Sequence, residues 1–246
     1  VLASAATTAS AFMALAFYQS LPLHLFTVAL AFEAAALSAL AQHFRLPVLR
    51  TLTAIAALGF TILMLPHLAS VFRLLDMRIY DVSSDFFAGN LWTRYALPAL
   101  FFLYASIKLH TGGQDKILSL IQGISIVLMA FFAYQALPRI AFSFGIDNDF
   151  ILGGYSSLAL YALTALLLWI STRVAAFVNV RRFALLVGAA AVLRTALVYG
   201  FADNPLFNTW IKVGDLPILN GLTLAYGLPI AFIAYSKRFM SETTRS

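Results

Sequence analysis

Long apolar runs separated by short polar breaks set the plan of this chain. Eight such runs are of roughly spanning length, over residues 3–19, 22–43, 47–71, 92–110, 117–137, 153–172, 182–202 and 219–237. A helix needs about 20 apolar residues to cross the hydrocarbon core of a bilayer. The runs are continuous, do not alternate, and are rich in Ala and Leu, which favours helix over strand. The pattern predicts an all-α, polytopic membrane helix bundle of about eight transmembrane helices. Val1 opens directly on an apolar run, with no Lys or Arg before it and no small-residue cleavage site. That reads as a first helix and not as a signal peptide.

Two of the runs resemble each other. Residues 95–104 read YALPALFFLY and residues 226–235 read YGLPIAFIAY. Tyr95, Leu97, Pro98 and Tyr104 stand 131 positions before Tyr226, Leu228, Pro229 and Tyr235, and the same offset lays Arg50 on Arg181. The match predicts a duplication, with a first four-helix unit over 1–112 and a second over 113–246. An even number of helices per unit makes the two halves a parallel repeat. Chance similarity between Leu-rich helices is the plainer alternative.

Charge gives the orientation. With the N-terminus inside, ten Lys and Arg residues fall on inner segments and five on outer ones, while Arg194 lies within a helix. The outer segments hold seven acids, Asp76, Asp81, Asp85, Asp147, Asp149, Asp203 and Asp215, against Asp115 and Glu242 inside. The positive-inside rule then predicts N-in, C-in topology, in a bacterial cytoplasmic membrane. Composition agrees: 62% of residues are hydrophobic and 11% charged, against about 25% charged in a soluble domain. The net charge of +6 is scattered between apolar runs and forms no stripe, so nucleic acid is not an expected partner. The expected partners are the lipid bilayer, other membrane helices, and a small-solute or lipid-linked ligand. The chain has no cysteine, which excludes disulfides, thiolate metal sites and a cysteine nucleophile.

The C-terminal stretch from Val192 to Phe239 resembles a known family. Its features are the Leu193-Arg194 pair, the Asn204-Pro205-Leu206 loop, Pro217 with Leu219-Asn220, and Ala225 to Pro229. These resemble bacterial multi-pass membrane proteins grouped as domain of unknown function 2339. The resemblance is close over about 50 residues and loose elsewhere. It implies a piece of a longer polytopic protein, or a short relative, and it brings no activity with it.

The candidate site residues are Glu33, Arg194, His67, Arg94 and Asp85. Glu33 lies near the middle of the second run, at a depth of roughly 16 Å, and Arg194 roughly 12 Å from the outer end of the seventh, at 1.5 Å per residue. Charges at such depth face a bundle interior or water. One reading is a proton or cation relay, or a contact to a polar headgroup; the plainer one is a structural carboxyl, hydrogen-bonded or kept neutral by desolvation. The repeat offset puts Leu63 opposite Arg194 and Thr164 opposite Glu33, so each charge is unique to its half. A Glu33–Arg194 pair is the expectation, with snorkelling of Arg194 to the outer headgroups as the alternative.

The outer loops, 72–91 with Asp85 and 203–220, mix acids, aromatics and aliphatics. They suit a cap over a cavity or interfacial segments with Trp92 and Trp210 at headgroup level. His67 beside Pro66 joins a polar site or is structural. His24, His43, His67 and His110 have no metal-ligand spacing. Asp147-Asn148-Asp149 is a weak divalent-cation signal, and no metal or cofactor is expected. No phosphate-binding loop, His-Glu-x-x-His or Gly-x-Ser-x-Gly occurs. Pro98 and Pro229 are expected to distort their helices near the outer side. Passage of a small solute or lipid-linked intermediate is the leading function. A membrane enzyme acting on a lipid-linked substrate at the outer face and a structural or assembly subunit are the alternatives.

Overall fold

A computed structural model describes residues 2–72, 91–110, 116–173, 178–202, 204–207, 213 and 221–243. Among them every regular element is helical. They form α1 (Leu2–Ser20), α2 (Leu23–Phe44), α3 (Pro47–Phe72), α4 (Leu97–His110), α5 (Lys116–Ser143), α6 (Asp149–Arg173), α7 (Val178–Leu197) and α8 (Leu228–Thr243). Five, namely α2, α3, α5, α6 and α7 with its following turn, are long and apolar enough to cross a membrane.

Local chemistry explains the boundaries. Pro22 precedes α2 in extended conformation, and Pro47 opens α3, where a missing N–H costs nothing. Arg45 between them takes a left-handed conformation at φ 54°, an arrangement that disfavours a side chain by about 1–2 kcal/mol. The Asn148 side chain accepts hydrogen bonds from the backbone N–H groups of Phe150 and Ile151, at 3.0 and 3.3 Å. It thereby caps α6, and Asp149 sits in the first turn, where the helix dipole favours an acid.

The matching Leu97-Pro98 and Leu228-Pro229 pairs each follow a widened turn. Trp92–Ala96 and Thr223–Gly227 are π-turns that run without a break into α4 and α8. The N–H of Leu97 donates to the Trp92 carbonyl, and that of Leu228 to the Thr223 carbonyl. A proline has no N–H and its ring presses on the carbonyl four residues back. Widening the preceding turn lets the neighbouring N–H reach five residues back instead.

The chain divides into two compact units: α1, α2, α3 up to Ser70, α4 and α5 up to Met129 in one, and the end of α3 with Ala130 onward in the other. In the first, Tyr18 meets Phe26 and Ser10 meets Glu33, so α1 and α2 are antiparallel. Phe32 stacks edge-on with Phe101 at 5.5 Å, and Gln42 and Lys108 line one cavity, so α2 and α4 are parallel. Phe60 of α3 packs on Phe102 at 5.0 Å. Ala31, Ala34, Ala35 and Ser38 form a buried small-residue face on α2, which permits close helix approach. In the second unit, α6 runs antiparallel to α7 and parallel to α8, as Phe150 on Tyr199 and Tyr161 on Phe232 show. A Cβ on Gly154 would lie 2.7 Å from the Leu224 Cβ, and one on Gly188 would lie 2.6 Å from Phe232.

Candidate functional site

Hydroxyls in these apolar helices mostly bond to their own helix. Ser38, Thr53, Thr61, Ser106, Thr164 and Ser236 each donate to a carbonyl three or four residues back, as expected where water is absent. Hydroxyls such as those of Ser125 and Tyr226 bond across helices to single carbonyls, and two polar clusters built on a charged residue, one in each unit, depart further from that pattern.

In the first unit the cluster is built on Glu33, 4% exposed and halfway along α2. The Ser10 hydroxyl of α1 donates to its Oε1. Its Oε2 is buried without a hydrogen-bond partner. A buried carboxylate oxygen without a donor is costly.

The second cluster surrounds Arg194 in the last turn of α7. One terminal nitrogen donates to Ser157 Oγ at 2.9 Å, and Ser157 donates to the Gly153 carbonyl at 3.3 Å. The guanidinium lies over the Tyr134 ring at 5.0 Å, a cation–π contact. Beside it the Tyr161 hydroxyl donates to Thr195 Oγ1 at 2.9 Å, and Thr195 to the Ala191 carbonyl at 2.8 Å. The antiparallel crossing of α6 and α7 brings Ser157 and Tyr161, one turn apart, against Arg194 and Thr195. The Arg194 Nε stays buried without a hydrogen-bond partner.

Glu33 and Arg194 thus each have partners within their own unit. Arg94 is half-buried in the π-turn before α4, with its Nε buried and unpartnered. His67 belongs to α3 beside Pro66, but its side chain, like Asp85 and nearly all of both outer loops, lies outside the described residues. No group of three or more His, Asp or Glu residues placed to hold a metal occurs among the described residues. Ser10, Ser157, Tyr134, Tyr161 and Thr195 carried no signal of their own in the sequence, since single hydroxyl residues are common in such helices.

These features define a helical membrane protein with a buried carboxylate in one unit and a half-buried guanidinium in the other. No protein family, no curated protein and no solved structure matches the chain.

Proposed function

We propose that the chain is a multi-pass membrane protein that passes a small solute or a lipid-linked intermediate, with Glu33 as a proton- or cation-binding group. One observation carries this reading: a carboxylate 4% exposed, in the middle of a membrane-length helix, with one oxygen bonded to Ser10 and the other unpartnered. A buried carboxyl oxygen left without a donor is uncommon and calls for an explanation. An open acceptor at mid-helix is where a proton, a cation or a polar substrate group binds.

The same proposal takes the chain as two parallel four-helix repeats with about eight spans and both ends inside the cytoplasmic membrane. Support comes from the π-turns at Trp92–Ala96 and Thr223–Gly227, which stand 131 positions apart, the offset of the sequence match. The contact of Phe60 with Phe102 has its counterpart, within one position, in that of Ala191 with Phe232. The polar clusters differ between the halves: Ser157, Tyr161, Arg194 and Thr195 fall opposite Phe26, Leu30, Leu63 and Met64. A duplicated scaffold with chemistry placed separately in each half suits a passage function. The resemblance of the C-terminal stretch adds no activity to this reading.

The test is the full chain reconstituted in phosphatidylcholine–phosphatidylglycerol vesicles with an internal pH dye and a fluorescent lipid. An acid pulse or lipid movement should be faster than in protein-free vesicles, and Glu33→Gln should abolish the gain. Rates equal to those of protein-free vesicles in both assays would overturn passage and leave the scaffold reading.

A further inference from the structure

The loop between α2 and α3 and the end of α4 enclose a cavity of about 520 Å³. It shares no residue with either polar cluster, and its chemistry differs from theirs. Arg45, Arg50 and Lys108 line it together with Ala41, Gln42 and Leu109. Three elements supply the three cations: the left-handed residue ending α2, the first turn of α3, and the last turn of α4. None of its lining residues is acidic. Arg45 and Gln42 are exposed, so the cavity reaches the surface, whereas Leu109 is 2% exposed and forms an apolar wall.

Two details argue that this is more than the basic inner fringe of any membrane protein. Arg45 has the only positive φ of any non-glycine residue described, and such a conformation persists only where its surroundings hold it. The duplication offset puts Arg181 opposite Arg50 but Ala176 and Phe239 opposite Arg45 and Lys108. The second half carries inner cations too, at Arg173, Arg181, Arg182, Lys237 and Arg238, but not at the positions opposite Arg45 and Lys108. A rigid guanidinium fork recognises tetrahedral oxyanions. A volume within about 300–1,000 Å³ is that of small-ligand sites.

We propose that this cavity binds a phosphate group, that of an anionic phospholipid headgroup in the inner leaflet or of a free phosphate. The apolar wall formed by Leu109 and Leu46 suits the glycerol and upper acyl carbons of a lipid; the cations take the phosphate. The inference is independent of the passage function and needs only the membrane location.

The full chain in neutral detergent is titrated by native mass spectrometry with dioleoyl phosphatidylglycerol, dioleoyl phosphatidylcholine and inorganic phosphate in separate arms. A basic residue near an anionic lipid contributes about 1 kcal/mol, or about fivefold in affinity. Arg45→Gln, Arg50→Gln and Lys108→Gln should each weaken phosphatidylglycerol binding about fivefold, while Arg182→Gln, outside the cavity, should leave it unchanged. In the unmutated chain added salt should reduce the preference for phosphatidylglycerol over phosphatidylcholine; this second measurement does not depend on any variant folding. Binding of inorganic phosphate that is lost in the same variants, without a lipid preference, would identify the free ion as the source. Failure of both phosphatidylglycerol and phosphate to bind, or binding indifferent to all three variants and to salt, would overturn the site.

Discussion

A carboxylate held by a single hydroxyl depends heavily on that hydroxyl. Ser10→Ala would leave both Glu33 oxygens buried without a donor and should destabilise the detergent-solubilised protein by about 1–3 kcal/mol. Glu33→Leu removes the need for the donor, so the double variant should regain most of the loss in thermal unfolding; strictly additive effects would argue against the contact. Arg194 is held differently, by Ser157 and by the face of Tyr134. A Lys there keeps the charge but loses the planar group. A double-mutant cycle of Arg194→Lys with Tyr134→Leu should give a coupling of about 0.5–2 kcal/mol, and a coupling near zero would mean that the stacking contributes nothing. Both charges were legible in the sequence because a charge in an apolar run is conspicuous. Their partners were not, because Ser10 and Ser157 look like any other small helical residue until a neighbouring helix selects them.

The helices are separated by close approaches that a single methyl group tests. A Cβ on Gly154 would meet the Leu224 Cβ, an atom fixed to the backbone, at 2.7 Å, whereas one on Gly59 would meet nothing within 4 Å. Gly154→Ala should therefore force α6 from the start of α8 and cost about 1–3 kcal/mol. Gly59→Ala, in the interior of α3, should be neutral or stabilising by up to about 1 kcal/mol. Thermal unfolding of the two variants side by side checks this, and equal behaviour would refute the packing. At this scale the apolar runs located every helix to within a few residues. The largest differences are α5, which continues past Pro138 to Ser143, and α8, which continues from 237 to Thr243; α6 begins at Asp149 rather than 153 and α7 at Val178 rather than 182. Pro138 does not stop α5, since other contacts outweigh one lost backbone bond. Asn148 starts α6 early by capping it, so the Asp147-Asn148-Asp149 triplet serves helix initiation.

For the molecule as a whole, orientation rests on the ten-to-five distribution of Lys and Arg. Because the chain has no cysteine, single replacements give an unambiguous labelling map. Arg78→Cys and Asn208→Cys should react with an impermeant maleimide from outside intact cells, and Gly113→Cys only after permeabilisation. Labelling of position 113 from outside would reverse the topology. Two compact units are present, and the boundary between them falls within α5, after Met129.

Apolar length and charge asymmetry by themselves determined the helical class, the membrane-spanning character of the long helices, and the positions of the isolated charges. These are properties of short stretches of chain meeting water or lipid, so they need no knowledge of neighbours. The Leu-Pro pairs likewise marked where helices α4 and α8 would be distorted, since a proline acts on its own backbone. Only tertiary structure decided that the distortion takes the form of a π-turn, that Glu33 is bonded to Ser10, and that Arg194 lies over Tyr134. Only it gathered Arg45, Arg50 and Lys108 around one cavity. Those outcomes depend on which helix faces cross and at what height, and helices that are apolar on nearly every side carry little in their sequence to say which face turns inward.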